Sequence, residues 1–274
     1  MLTEWLTYLT TDCPPLARKL GYLRESIAIR SRYRRCKIAW QPHLENSRSA
    51  LIESLHACSD FRTALVFGSG LLLDVPLPEL AKRFESVWLI DLIHLPEVRR
   101  VVRRYANVRC LSCDITGFLE QMKTMSPTNL NLPPPTNFLD DPTIDWVVSV
   151  NLLSQLPLLP LDWLRKRFPG IDEVMLKEWG TQLMLQHLDY LAAFAAPTYL
   201  LADMEQTTYR QNGEVIEHFD FAAKLGLEHQ ALAQWRWDIA PPGEIMPGIG
   251  RFHRVAALTA KRCNNLNKLN QNQM

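Results

Sequence analysis

The chain has 274 residues, 47% of them hydrophobic and 22% charged, with a formal net charge of +1. This balance is ordinary for a soluble globular protein, suffices to bury a core without staples, and confines any polyanion-binding surface to a local patch. The opening MLTEWLTYLTTDC has no basic segment ahead of its apolar residues, and nowhere is there a run of about 18 apolar residues, so neither a signal peptide nor a membrane span is expected and a cytoplasmic protein is.

Residues 1–58 read as a helical extension. Leu16, Leu20, Leu23 and Ile27 recur at helical spacing, and a second helix is expected after Pro42 with Leu44, Leu51, Ile52 and Leu55 turned inward. At about 100° per residue, Arg30 and Arg34 continue the first stripe, followed by Ile38. An unbroken helix carries both arginines inward, where they need an anionic partner: a ligand carboxylate or phosphate, or a structural acid. A bent helix leaves them on a solvated face. The segment RESIAIRSRYRRCK is strongly basic, so nucleic acid stays open as a partner, although no aromatic platform or RNA module accompanies it.

From about residue 61 short apolar runs alternate with amphipathic helices. ALVFG (64–68), SVWLID (86–91), VRCLSC (108–113), DWVVSV (145–150) and TYLLAD (198–203) read as strands. Helices are expected over 78–84, 95–105, 115–122, 160–168 and 172–195. SPTNLNLPPPTNFLDDP (126–142) is a long surface loop, a lid or an insertion. Asn212-Gly213 marks a hairpin, WRWDIA (235–240) and RFHRVAALTA (251–260) flank a Pro/Gly loop, and residues 263–274 form a polar tail expected to be disordered. The pattern predicts an α/β fold: a doubly wound, mostly parallel seven-stranded sheet with an antiparallel edge, occupying residues 59–262 behind the helical extension.

Six cysteines are scattered along the chain: Cys13, Cys36, Cys58, Cys110, Cys113 and Cys263. Cys110 and Cys113 form one C-x-x-C with neither a second pair nor a suitably spaced histidine pair, so packing thiols are expected and no metal site.

In a doubly wound sheet, ligands bind outside the carboxyl ends of the strands. The residues there are Gly68-Ser69-Gly70, then Asp91, then Asp114 and Ile115, then Asn151 within NLLSQLP, then Asp203. Glycines admit a ligand close to backbone N–H groups, and an acid after the second strand can accept both hydroxyls of a ribose. An acid past the third strand can accept from an adenine amino group. Each acid also has a purely structural use as a turn or helix cap, Asp114 in DITGF above all.

This order resembles the class I S-adenosylmethionine (SAM)-dependent methyltransferases, over about residues 60–260. The resemblance implies a Rossmann-like fold with SAM as cofactor. It places Gly68, Ser69 and Gly70 at the methionine end, Asp91 on the ribose, Asp114 and Ile115 by the adenine, and Asn151 with Gln155 beside the methyl group. The chain departs from the family pattern at Val66, where an acid is usual, at Leu72, where a third glycine is usual, and in LLLDVPLP, which delays the next helix. Gln155, His187 and Asp203 are candidates for the acceptor side, and Arg30 and Arg34 for binding an anion. The methyl acceptor and the oligomeric state are not specified. The alternatives are a methyltransferase-like binding or assembly protein without turnover and, below it, an NAD-binding oxidoreductase, for which G-x-G-x-x-G would require glycine at Leu73.

Overall fold

The computed structural model describes residues 2–228 and 230–260. The expected polar tail lies outside the described residues. Three helices come first: α1 (Leu2–Thr10), α2 (Pro15–Leu20) and α3 (Tyr22–Ser54). The stripe Leu16–Ile27 is not one helix, because Gly21 adopts φ 97° and ends α2 in a left-handed cap. Conversely, no new helix starts after Pro42. The proline lies inside α3, and the helix breaks upstream of it at Cys36 (φ −103°, ψ 18°). Pro42 gives up the hydrogen bond to the Ile38 carbonyl, four residues back, and that loss falls within the helical segment that follows the break.

The remaining elements are β1 (Thr63–Phe67), α4 (Leu77–Arg83), β2 (Ser86–Asp91), α5 (Pro96–Val102), β3 (Val108–Ser112), α6 (Phe118–Gln121), β4 (Ile144–Val150), α7 (Leu158–Arg167), α8 (Glu173–Ala192), β5 (Thr198–Arg210), β6 (Val215–Asp220), α9 (Phe221–Leu225), β7 (Ala231–Ala240) and β8 (Ile249–Thr259). The strand order is β3-β2-β1-β4-β5-β8-β7. The first five strands run parallel, and β8 and β7 are antiparallel. This is the doubly wound sheet with an antiparallel final pair that the resemblance implies. The seven-strand expectation is corrected by one strand: β6 lies off this path and pairs only with β5. β5 outruns β4, so Thr198–Leu201 pair with β4 while Glu205–Tyr209 pair with β6 along the same edge.

Side chains alternate across each strand. Leu65 and Phe67 of β1 pack with Leu183, Met184 and Leu188 of α8 on one face. Ala64 and Val66 pack with Leu23, Ile27 and Leu51 of α3 and Leu80 of α4 on the other. Val66, where the family pattern has an acid, is thus a fully buried core residue. Past its break, α3 lies over β7. Trp40 donates from Nε1 to the Ile239 carbonyl (3.0 Å), and Arg35 grips Glu244 of the β7–β8 loop through two nitrogens. The loop 126–142 lies against α8 as a strapped insertion. Trp179 Nε1, Gln186 Nε2 and Tyr190 Oη donate to the carbonyls of Leu130, Leu132 and Asn137. No helix among the described residues is long and apolar enough to cross a membrane.

Candidate functional site

The two glycines of the first turn do different work. A Cβ built on Gly68 (φ +71°) would lie 2.7 Å from the Val150 carbonyl oxygen and 3.1 Å from the Leu152 Cβ. Gly68 therefore lets the ends of β1 and β4 approach each other. Gly70 (φ +48°) is exposed, and the nearest atom to its built Cβ is 3.7 Å away. Between them the N–H groups of Gly68 and Ser69 both donate to the Ile90 carbonyl (2.9 and 3.3 Å). Asp91 closes the turn, its Oδ2 accepting from the Gly70 N–H at 2.8 Å. Its Oδ1 has only a long contact from the Ile93 N–H (3.4 Å), which leaves acceptor capacity for a hydroxyl. Burial raises the Asp91 carboxyl, against the opposing influence of His94 and of backbone N–H groups.

Two polar atoms beside this turn have no partner. Ser69 is fully buried with an unpaired Oγ, and Asn151 is buried with an unpaired Oδ1. Phe67 pairs with Ser149, so both residues stand two positions beyond that register pair on neighbouring strands. An unpaired hydroxyl and an unpaired amide oxygen at adjacent strand ends are costly unless a ligand or water meets them. This donor and acceptor set fits the amino-acid end of the implied cofactor, and Asp91 fits the ribose end.

Asn151 (φ 47°) is the centre of a buried polar cluster that the sequence did not reveal. Its Nδ2 lies 2.6 Å from Asp74 Oδ2 and 3.3 Å from Nε2 of His43, a buried ring on α3. The Trp235 indole donates to His43 Nδ1 at 3.0 Å, and the ring stacks on Trp237 with centroids 4.0 Å apart. An indole can only donate, so His43 Nδ1 accepts and the neutral ring carries its proton on Nε2. Burial pushes His43 down to about 3, so the ring is neutral at ordinary pH. As placed, its Nε2–H faces the Asn151 NH₂, donor against donor. Turning the amide resolves the conflict: Oδ1 then accepts from His43 and from a protonated Asp74. Asp74 is suited to hold that proton, because burial raises its carboxyl despite the Asn151 contact and nearby Arg48. In either orientation one amide atom remains for a ligand.

A second buried group lies where β5 and β8 meet. Asp203 Oδ1 is 2.9 Å from His253 Nδ1, and its Oδ2 accepts from the Ser154 hydroxyl. Burial alone would raise the Asp203 carboxyl, but His253 and Ser154 outweigh it and hold it below the ordinary range. His43, Asp74, Ser154, Trp235, Trp237 and His253 were all missed by sequence reasoning. The only signal was the alternation of WRW against His253, since Trp237 pairs with His253 across β7 and β8.

Several expected site residues take structural roles. Asp114 caps the turn into α6: its Oδ1 accepts from the Thr116 N–H and hydroxyl, and its Oδ2 from the Leu119 N–H at 2.8 Å. Ile115 is buried in the core. His187 is corrected to a packing residue on the α8 face. It is 3% exposed, with Nε2 2.9 Å from the Ser149 hydroxyl, and burial pushes it down to about 3. Gln155 is exposed and bonds from Nε2 to the Asn151 carbonyl within its own turn (2.6 Å). Arg30 does point inward, where its Nη1 meets Glu97 Oε1 (2.9 Å) and the Thr7 hydroxyl (3.0 Å) while its buried Nε and Nη2 have no partner. Arg34 is exposed, and Ile38, beyond the break, is 88% exposed, so the inward stripe stops at Arg30.

No family model matches the sequence, and no curated protein matches it. Among solved structures, the chain is similar to the Burkholderia thailandensis 1,6-didemethyltoxoflavin-N1-methyltransferase with S-adenosylhomocysteine bound, at 14% identity, TM-score 0.43, covering 90% of this chain and 93% of that one. It is similar to DhpI in complex with S-adenosylhomocysteine at 15% identity, TM-score 0.39, covering 87% and 95%. It is also similar to the N-methyltransferase NodS of Bradyrhizobium japonicum, in complex with the same compound, at 12% identity, TM-score 0.33, covering 77% and 85%. These likenesses are remote, and the reading of the site rests on the chain's own residues.

Proposed function

We propose that the chain binds SAM at the carboxyl ends of β1, β2 and β4 and is a methyltransferase. The observation that carries the reading is the closed turn in which Asp91 accepts from the Gly70 N–H while Ser69 Oγ and an Asn151 amide atom stay unpaired beside it. When bound, SAM supplies a sulfonium methyl group open to nucleophilic attack. Asp91 holds the ribose hydroxyls through its free lone pairs, and Ser69 and Asn151 receive the amino-acid end. The chain's part is mainly to position donor and acceptor in line. Where the acceptor must lose a proton, Asp203 is the carboxylate proposed to take it, with His253 Nδ1 2.9 Å away. Asp114 already caps the turn into α6, which leaves one Oδ2 lone pair as its means of meeting the adenine amino group.

A second reading, binding without turnover, is favoured by one observation. The chain's own Asp74 and His43 already engage Asn151. Thermal shifts with SAM, S-adenosylhomocysteine and NAD separate the cases. Stabilisation by both sulfur ligands, together with release of methyl label from SAM, supports the enzyme. Stabilisation without label transfer to any acceptor supports the second reading. Stabilisation by NAD alone refutes both.

A further inference from the structure

On the flank of the sheet, outside the strand-end site, a cavity of about 240 Å³ lies between the end of α1 and the outer face of α5. One wall carries Arg99, Arg100 and Arg103. With Pro96 they follow the spacing i, i+3, i+4, i+7, which gathers them on one side of the helix and its end. Among the described residues none of the three side chains makes an ion pair or hydrogen bond. Three unpaired guanidinium groups around one cavity repel each other, and an anion relieves that repulsion.

The opposite wall, Thr10, Thr11 and Asp12, does not supply the counter-charge. The carbonyl end of α1 is already satisfied by Arg18, which donates to the carbonyls of Tyr8 (2.5 Å) and Thr11 (2.7 Å). Asp12 is the one acid lining the cavity, and it is exposed and forms no ion pair with the arginines. The floor holds the second observation. His94 is 1% exposed and lines the cavity. Its Nε2 lies 3.2 Å from the Leu111 carbonyl, which fixes Nε2 as the donor, and its buried Nδ1 has no partner. That nitrogen can accept from a P–OH group or, once the ring is protonated, donate to an anionic oxygen.

We infer that this cavity is a binding site for the phosphate group of a small phosphorylated molecule. One arginine saturates a planar carboxylate in a two-pronged pair, whereas three arginines match the several oxygens of a phosphate monoester, whose singly protonated form also presents a P–OH to His94 Nδ1. The walls come from two short segments around a bounded cavity, and no aromatic platform accompanies them, which favours a small ligand over a nucleic-acid strand. The inference does not depend on the strand-end reading, although His94 lies three residues beyond Asp91 and acts on its charge.

The test is titration of inorganic phosphate at constant ionic strength, followed by ³¹P line broadening and thermal shift. The wild type is expected to bind saturably. The double variant Arg99→Gln/Arg103→Gln is expected to weaken binding at least about tenfold, as loss of charge-assisted hydrogen bonds implies. Arg104→Gln/Arg109→Gln removes two exposed arginines that do not line the cavity and is expected to leave binding unchanged. Equal loss in both double variants, or a wild-type response no different from chloride, overturns the site. Tight binding of a single-stranded RNA 12-mer with a steep salt dependence, lost in Arg99→Gln/Arg103→Gln, overturns the small-molecule assignment. All the substituted arginines but Arg99 are exposed, and circular dichroism checks that both variants fold.

Discussion

Acidification from pH 7.5 to 5.0 tests the buried histidines. His43 and His187 are both pushed down to about 3 by burial, while an unfolded histidine titrates near 6.5. Below about pH 6.5 the unfolded chain takes up a proton at each ring and the folded chain does not, so stability falls with pH across the window from about 6.5 to 3. One unit is worth about 1.4 kcal/mol, so each ring costs about 2 kcal/mol at pH 5, and the pair about 4 kcal/mol. That is a large part of a typical folding free energy of about 5–15 kcal/mol. The carboxyls of Asp74 and Asp91, raised by burial, act with the opposite sign, because the folded chain holds their protons more tightly. The comparison is therefore made between variants. His187→Gln keeps a hydrogen-bonding group opposite the Ser149 hydroxyl but cannot titrate. Urea unfolding at both pH values is expected to show His187→Gln losing about 2 kcal/mol less than the wild type on acidification. An identical loss in the two proteins refutes the assignment of His187 as a buried neutral ring.

Two further outcomes follow from the strand-end geometry. Asp74→Asn is expected to leave stability nearly unchanged, because an amide NH₂ donates to Asn151 as a protonated acid would, while Asp74→Ala costs about 1–3 kcal/mol through an unsatisfied buried amide; equal costs in urea unfolding contradict the protonated Asp74. Gly68→Ala drives a Cβ to 2.7 Å from the Val150 carbonyl and is expected to destabilise far more than Gly70→Ala, which meets only an ordinary contact at 3.7 Å and carries mainly the left-handed penalty of about 1–2 kcal/mol. Equal melting temperatures for the two variants contradict the close β1–β4 approach.

The sequence carried the frame of the site and little of its lining. Parallel strands buried on both faces read as apolar runs, so Gly68, Asp91 and Asn151 were each found at the end of a strand, whereas Asp203, expected to end its strand, lies inside β5, which runs on to Arg210. Asp114 carried both readings in DITGF, and its cap geometry emerged only with Thr116 and Leu119 in place. His43 and Asp74 were out of reach because their meeting with Asn151 depends on how α3 bends at Cys36 and crosses β7. Arg30 was legible as an inward cation, but its partner Glu97 belongs to a helix far along the chain. β6 was visible as a hairpin through Asn212-Gly213, where Gly213 takes φ 91°, yet its place off the main strand path was not.

Titration calorimetry of S-adenosylhomocysteine into the wild type and Asp91→Asn tests the central claim most directly. Asparagine can still accept from the Gly70 N–H, so the turn is preserved while the charge that would hold the ribose is removed. The account predicts saturable one-to-one binding to the wild type and at least about tenfold weaker binding to Asp91→Asn, the loss expected for a charge-assisted hydrogen bond. No heat with the wild type, or equal affinity in the two proteins, would contradict it.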